Sequence, residues 1–490
     1  MRMDWKETQL RFCRQVLRQQ QNMEQSLQLK LPDGMPDVDR VICAWGQCML
    51  QGKQWRKDAV VISGGVKVWV LYGTEEAAMP CLLEGWLPFQ GKWNLPEGTA
   101  EGVVQVQLCL RSLEAQLLSA RKLGIHAGIG IGVEALEESK ERICQPEEMP
   151  AGVEALYREI AVELIREAGE KAFTLEEQLP FTGEKPEKLV CCRVDPQIRE
   201  GEIVGSRVVF RGQCNVELLY LTGDGALRRQ RAQVEFAQFA QLEQECSAEA
   251  ACFVLPQVTA ADAEILDTGW QLKMELVGQY TVREKQTVSI CEDAFGTTVE
   301  AVPLPAQIRL PHQKPMPRQQ LEIILEPNHM DGEVVDVDCR PELPVQYWEE
   351  DAYVCQLGGQ LQVVYYDPQG QLQSRLQPWY QQWQLPAEEG DGLQLYLAAM
   401  PWGLQEQGSG MVKVDAMLTA EKPTDMIVGL EMGEAKPKDP ARPSVILYRA
   451  GKQSLWQIAK ECGACVEAIR QCNPELEQGM EGNMLLIPVP

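Results

Sequence analysis

Cys462-Gly463-Ala464-Cys465 has the C-x-x-C spacing used in thiol–disulfide exchange or as half of a zinc site. Structural zinc takes four ligands, and neither a second pair nor a His stands nearby. Thioredoxin-like redox use needs a βαβ frame, which the flanking pattern lacks. The segment therefore reads as a turn between two helices. The chain holds three His, His126, His312 and His329, none in a recognisable nucleophile or metal motif. Gly128, Gly130 and Gly132 are not spaced as a phosphate-binding loop. They alternate with Ala127, Ile129, Ile131 and Val133, so they read as a strand with one bare face that another layer can approach closely. Paired carboxylates could hydrolyse a glycoside, but no pair stands out from a solvated surface. We expect no catalytic, cofactor-binding or metal-binding residues.

The elements that position these residues are spread over 490 residues. Domains cluster near ~100–150 residues, so three or four are expected. Charged residues make up 24% and hydrophobic residues 45%, as in ordinary folded protein. A net charge of −25 repels phosphate, so neither nucleic acid nor an anionic membrane is an expected partner. No apolar run approaches the ~20 residues of a membrane span, and the first residues lack a secretory apolar core. These features point to a cytoplasmic chain. Its seventeen Cys, an odd number without a dense framework, then read mostly as thiols.

A repeat organises the chain. Gly64 opens GGVKVWVLYG, Gly212 opens GQCNVELLYLTGDG and Gly358 opens GGQLQVVYYDPQG. A Tyr follows eight residues on in each, at Tyr72, Tyr220 and Tyr366. The starts lie 148 and 146 residues apart, a period that calls for repeated structural units. Leu31-Pro32 and Leu179-Pro180 keep the 148-residue offset; Leu325-Glu326-Pro327 restores it only in part. Period-two alternation makes the runs strands, with Val66, Val68, Val70 and Tyr72 on one face. Turn residues follow, then a hairpin partner carrying Leu82 and Leu83, or Val234 and Phe236. Gln356–Gln384 is Gln-rich beside Trp379, Tyr380 and Trp383. Glutamine cross-linking would use such a run, but a polar outer sheet face accounts for it.

Helix-period apolar positions predict helices over residues 9–28 and Ala151–Lys171, the latter from Val153, Leu156, Tyr157, Ile160, Val162, Leu164 and Ile165. The expected class is mainly β with helices (α+β). It comprises an N-terminal helical segment (1–26), β-sandwich-like units at 27–168, 169–315 and 316–432, a Pro-rich linker (433–443) and a strand–helix–helix–strand segment (444–490).

The last segment resembles the LysM family in its SLWQIA helix start, the Cys462–Cys465 turn, Asn473-Pro474 and the Leu486-Ile487-Pro488 finish. Its Gly451-Lys452-Gln453-Ser454-Leu455 run is one residue longer than the family's usual turn and lacks the Asp. The resemblance implies a groove for N-acetylglucosamine-containing glycan or for protein, formed by Gly451, Lys452, Gln453, Ser454, Asn473, Pro474, Glu475 and Leu476. The repeats resemble the SPOCS domain of spore coat proteins, through LPDGMPDVDRV, GGVKVWVLYG, LPFQGKW and SARKLG. That resemblance implies a non-enzymatic scaffold of coat assembly. It would dock coat or basement-layer proteins at the forespore surface, on the mother-cell side. A glycan-binding protein of wall or cortex is the alternative.

Overall fold

The structure is a computed structural model. It describes residues 2–4, 9–75, 79–143, 149–243, 245–247, 249–314, 333–342, 345–350, 352–386, 392–399, 413–436, 443–474 and 482–489. Three units repeat one strand plan. A long strand leads into a three-stranded meander, and two more strands return beside the long one.

A short β1 (Arg2–Asp4) precedes unit one, which contains β2 (Gln9–Lys30), β3 (Arg40–Arg56), β4 (Ala59–Gly73), β5 (Cys81–Asn94), β6 (Gly102–Ser119) and β7 (Lys122–Arg142). Unit two contains β8 (Val153–Pro180), β9 (Pro186–Val204), β10 (Arg207–Thr222), β11 (Leu227–Gln241), β12 (Ala251–Ile265) and β13 (Gly269–Gly296). Unit three contains β14 (Val299–Lys314), β15 (Glu333–Pro341), β16 (Val345–Glu349), β17 (Ala352–Tyr366), β18 (Leu372–Pro386), β19 (Gly392–Ala399) and β20 (Lys413–Ala435). The meanders are β3-β4-β5, β9-β10-β11 and β15/β16-β17-β18, and the long sheets run β2-β7-β6, β8-β13-β12 and β14-β20-β19. The chain closes with β21 (Val445–Arg449), α1 (Leu455–Cys462), α2 (Val466–Cys472) and β22 (Met484–Pro488), in which β21 and β22 pair antiparallel.

Strands account for 77% and helix for 4%, in two short helices, which overturns the expected α+β class. Residues 9–28 and 151–171, expected as helices, lie in β2 and β8. A bulge explains each error. The register shifts between Gln15 and Leu17 in β2, and opposite Val282/Arg283 in β8. One extra residue moves the apolar phase from two toward three or four. Pairing of β8 with β13 along its whole length then overrides local helix preference. The unit borders move accordingly. The long strands β2 and β8 belong to the meanders that follow them, and Gly433–Ala435 of the expected linker belong to β20. Leu325-Glu326-Pro327 and residues 437–442 lie outside the described residues.

The first two meanders each pack one face on their own long sheet. In unit one, Val66, Val68, Val70 and Tyr72 join Ile125, Ile129 and Ile131. In unit two, Cys214, Val216, Leu218 and Tyr220 join Trp270, Leu272 and Met274. The repeated Gly has a defined partner. Gly64 pairs with Phe89 and Gly212 with Phe236, and the ring edge lies only 2.6 Å from where a Cβ would stand. The repeated Tyr clamps the loop after the Leu-Pro signal. The Tyr72 hydroxyl donates to the Pro36 carbonyl at 3.3 Å, and the Tyr220 hydroxyl reaches Gly183 of the matching loop. Two signals separated in sequence thus keep one offset because they touch.

The other meander faces meet at a shared core. Trp69 and Leu71 of unit one, Cys191, Leu219 and Leu221 of unit two, and Val364 and Leu372 of unit three pack together. The contacts form a closed cycle. Unit one holds unit two through Gln47, whose amide donates to Val194 O at 2.6 Å and accepts from Val194 N at 3.2 Å. Unit two holds unit three through Leu227 N, which donates to the Tyr366 hydroxyl at 2.7 Å. Unit three returns to unit one through Ser374, whose hydroxyl donates to Ile42 O at 2.7 Å, and through β1, which pairs with β20.

The third unit is offset by 145 residues from the second, not 146. Leu372 takes the place of Leu227, and Val364 that of Leu219, in the shared core. The structural counterpart of Tyr220 is therefore Tyr365, and the ring paired with Gly358, Tyr380, stands 3.7 Å from where a Cβ would be, against 2.6 Å for Phe89 and Phe236. A one-residue slip exchanges the two faces of a strand, so the aligned Gly358 and Tyr366 fall on the wrong side.

Candidate functional site

Two places concentrate chemistry-bearing side chains. The first is the axis where the meanders meet. At offsets of 148 and 145, Trp45, Arg193 and Asp338 occupy equivalent places on β3, β9 and β15. Arg193 is 1% exposed and reaches carboxylates of two units: Glu217 at 2.5 Å, Asp336 at 3.0 Å and Asp338 at 3.1 Å. Trp45 Nε1 donates to Asp336 Oδ2 at 2.8 Å, which brings unit one into the cluster. Arg340 holds Asp338 at 2.8 Å and donates to the carbonyls of Ala44 at 3.0 Å and Leu113 at 3.2 Å. Arg231 donates to Glu217 at 3.2 Å, and Arg229 stands 3.6 Å from Glu217 and Asp336.

Burial and charge oppose each other here. Desolvation alone would lift Asp336, but Arg193, Arg229 and the Trp45 N–H hold it below the usual carboxylate range. Desolvation prevails at Glu217 and raises it, despite Arg193. Desolvation also works against the Arg193 charge, and the three carboxylates outweigh it. These perturbed groups are spent on ties between units, a structural use of shifted groups. Above the cluster, a groove of about 420 Å³ crosses the outer face of β9-β10-β11. Its amides bond one another: Gln213 donates to Asn215 at 3.0 Å, and Gln233 to Asn215 at 3.3 Å.

The second place is the terminal segment. Ser454 caps α1, taking Gln457 N at 3.3 Å while Gln457 Oε1 accepts from Ser454 N at 2.9 Å, a reciprocal capping box. Gly463 ends α1 in the left-handed conformation, φ 62°. Gly451, Lys452 and Gln453 are exposed. The Tyr448 hydroxyl donates to Glu461 at 3.0 Å, with the Gln453 side-chain amide 2.9 Å from the same hydroxyl oxygen. Asn473 donates to Ile469 O and Leu486 O, both at 2.7 Å, and accepts from Leu486 N at 2.8 Å. It thus ties the end of α2 to β22, a role that its position before Pro474 did not disclose. Glu475 and Leu476 lie outside the described residues. Of the eight expected groove residues, the structure brings Gly451–Ser454 together on one loop and sets Asn473 on β22.

The Cys462–Cys465 turn joins α1 to α2, and both side chains are thiols. Burial lifts several thiols elsewhere, Cys109 and Cys192 to about 12, as expected of Cys used as packing. His126 lies on β7 with its Nδ1 2.9 Å from the Ser26 hydroxyl. His312 lies on β14, and His329 falls outside the described residues. Gly128 faces Ser112 and Glu24, side chains of the flanking strands, rather than another layer. Among the described residues, no group of three or more His, Cys, Asp or Glu is arranged to hold a metal. No helix among them is long and apolar enough to cross a membrane. Trp379 is buried and Tyr380 is 62% exposed.

Sequence reasoning missed the axial cluster. Its only trace is a polar residue interrupting an apolar strand: Arg193 after Val190-Cys191-Cys192, Glu217 within Val216–Leu218, Asp336 between Val335 and Val337, and Asp338 between Val337 and Cys339.

Fold and site together define a protein of three cyclically packed antiparallel β units with a small strand–helix–helix–strand end. No family model, no curated protein and no solved structure matches the chain. The SPOCS and LysM resemblances therefore rest on the quoted residues alone.

Proposed function

We propose that the chain is a non-enzymatic docking scaffold. The observation that carries this reading is the axial cluster. Buried charges hold three units in one body, which puts charge to rigidity rather than to a reactive centre. A rigid body of repeated units presents several protein-binding faces in fixed relation, which favours multivalent assembly. Together with the resemblances, this supports a role in spore coat assembly, with coat or basement-layer proteins as partners at the mother-cell face of the forespore. The test is localisation of a fluorescent fusion during sporulation, with and without residues 444–490. A ring around the forespore that is lost on truncation supports the reading; diffuse fluorescence from the full chain overturns it.

A second reading assigns glycan binding to the terminal segment. The exposed Gly451-Lys452-Gln453 loop favours it, since it presents a cation and an amide to solvent. Retention of the full chain on purified N-acetylglucosamine polymer, lost with Lys452→Ala and Gln453→Ala together, would support it. Equal retention of both chains would refute it.

A further inference from the structure

We propose that the α1 face of the terminal segment is a recognition site for an acidic-x-aromatic segment, occupied in this chain by its own Asp293-Ala294-Phe295. This goes beyond the scaffold reading and depends on neither resemblance.

Three contacts carry it. Trp456 Nε1 donates to Asp293 Oδ2 at 2.9 Å. Lys460 Nζ reaches both oxygens of the same carboxylate, at 2.8 and 2.7 Å. The Trp456 and Phe295 rings meet edge to face, with centroids 4.9 Å apart. Phe295 belongs to β13 of unit two, yet it is buried in the core of the terminal segment with Ala450, Ile458, Ala459 and Ile469. One strand end thus supplies a charge to an indole–ammonium pair and a ring to a hydrophobic core. Trp456 and Lys460 sit four residues apart on one helix face, so the two elements of the site are fixed together.

The occupant is tethered as well as bound. Lys436 N donates to Thr298 O at 2.9 Å, and its ammonium to Gly296 O at 2.5 Å, so the chain leaves β20 beside the strand end on which α1 sits. Tethering raises the effective concentration of Asp293–Phe295 at the site. The docked state is then autoinhibitory. An outside segment of the same chemistry binds only by displacing the internal one, and its apparent affinity falls with the released fraction.

The full-length chain allows a test that needs no unknown partner. Asp293→Lys and Lys460→Glu each place like charges at the contact and should release the segment; the double variant restores opposite charges and should re-dock it. Amide relaxation of residues 455–472 reads the state directly. Docked residues tumble with the whole chain, and released ones several-fold faster. The binding probe is a synthetic peptide spanning residues 289–297. It should bind the Asp293→Lys chain at least tenfold more tightly than the wild type, and should not bind the Lys460→Glu chain. Fast tumbling in the wild type overturns the proposal. So does wild-type tumbling in both single variants, or equal peptide binding by the wild-type and Asp293→Lys chains.

Discussion

Replacing Arg193 with Met removes the charge at the axis while keeping most of its volume. The structure sets the size of the effect. Glu217 retains Arg231 at 3.2 Å, and Asp338 retains Arg340 at 2.8 Å. Asp336, wholly buried, keeps the Trp45 N–H at 2.8 Å, Arg229 at 3.6 Å and the more distant charge of Arg231. Breaking a buried ion pair costs about 3–5 kcal/mol when one charge is left uncompensated. With two of the three carboxylates still paired, the low end applies, about 3 kcal/mol, or about two orders of magnitude in the folding equilibrium. Guanidinium unfolding followed by Trp fluorescence measures it. The control is Arg199→Met. Arg199 holds Glu235 at 3.0 Å at the solvent-exposed end of the same sheet face, where it also donates to Gln213, and a surface pair is worth at most about 1 kcal/mol. Adding Asp336→Asn to Arg193→Met should recover part of the loss, because the orphaned charge goes with it. If Arg193→Met shifts the midpoint no further than Arg199→Met, the axial charges do not hold the units together and the argument fails.

Gly64→Ala puts a methyl group against Phe89 and the Met49 carbonyl and should destabilise by about 1–3 kcal/mol; Gly358→Ala, whose nearest neighbour is 3.3 Å away, should be close to neutral in the same melt. A chain ending at residue 296 leaves unit one and unit two each with a face meant for unit three; light scattering should find it self-associated, and a stable monomer would contradict the cycle. Acid should leave the docked terminal segment in place well below neutral pH. Desolvation would raise Asp293, but bonds from Lys460 and Trp456 hold it below its ordinary value of 3.8, so its stabilisation is present above that value and lost as pH falls through the lowered one. Relaxation of residues 455–472 across a pH series checks this, and release near pH 6 would be inconsistent with it.

The strands of the meanders were legible because alternation and Gly-rich turns are local. The repeat was legible because Gly64 and Gly212 each answer a ring on the next strand, and Tyr72 and Tyr220 each hold a loop. What failed to show was set by long-range pairing. Val153–Ile165 has helix-like spacing, and only its partner β13 and the bulge near Arg166 make it a strand. The third unit's one-residue slip is likewise invisible until Val364 is seen in the shared core. In the terminal segment, the caps Ser454 and Gly463 were readable from residue type. The grip of Trp456 on Asp293 was not, since the two lie 163 positions apart.

The pairing of Arg2–Asp4 with Gly429–Glu431 bears on how the protein comes into being. A ribosome releases β1 before every other strand of the three units, and its partner only after β2 to β19 have emerged. The seam of the cycle therefore has to wait unsealed until β2 to β19 have been made, with an open edge of backbone groups at each side. Slow translation or an early stop between those two points would leave nascent chains able to seal against a neighbour's β20 instead of their own.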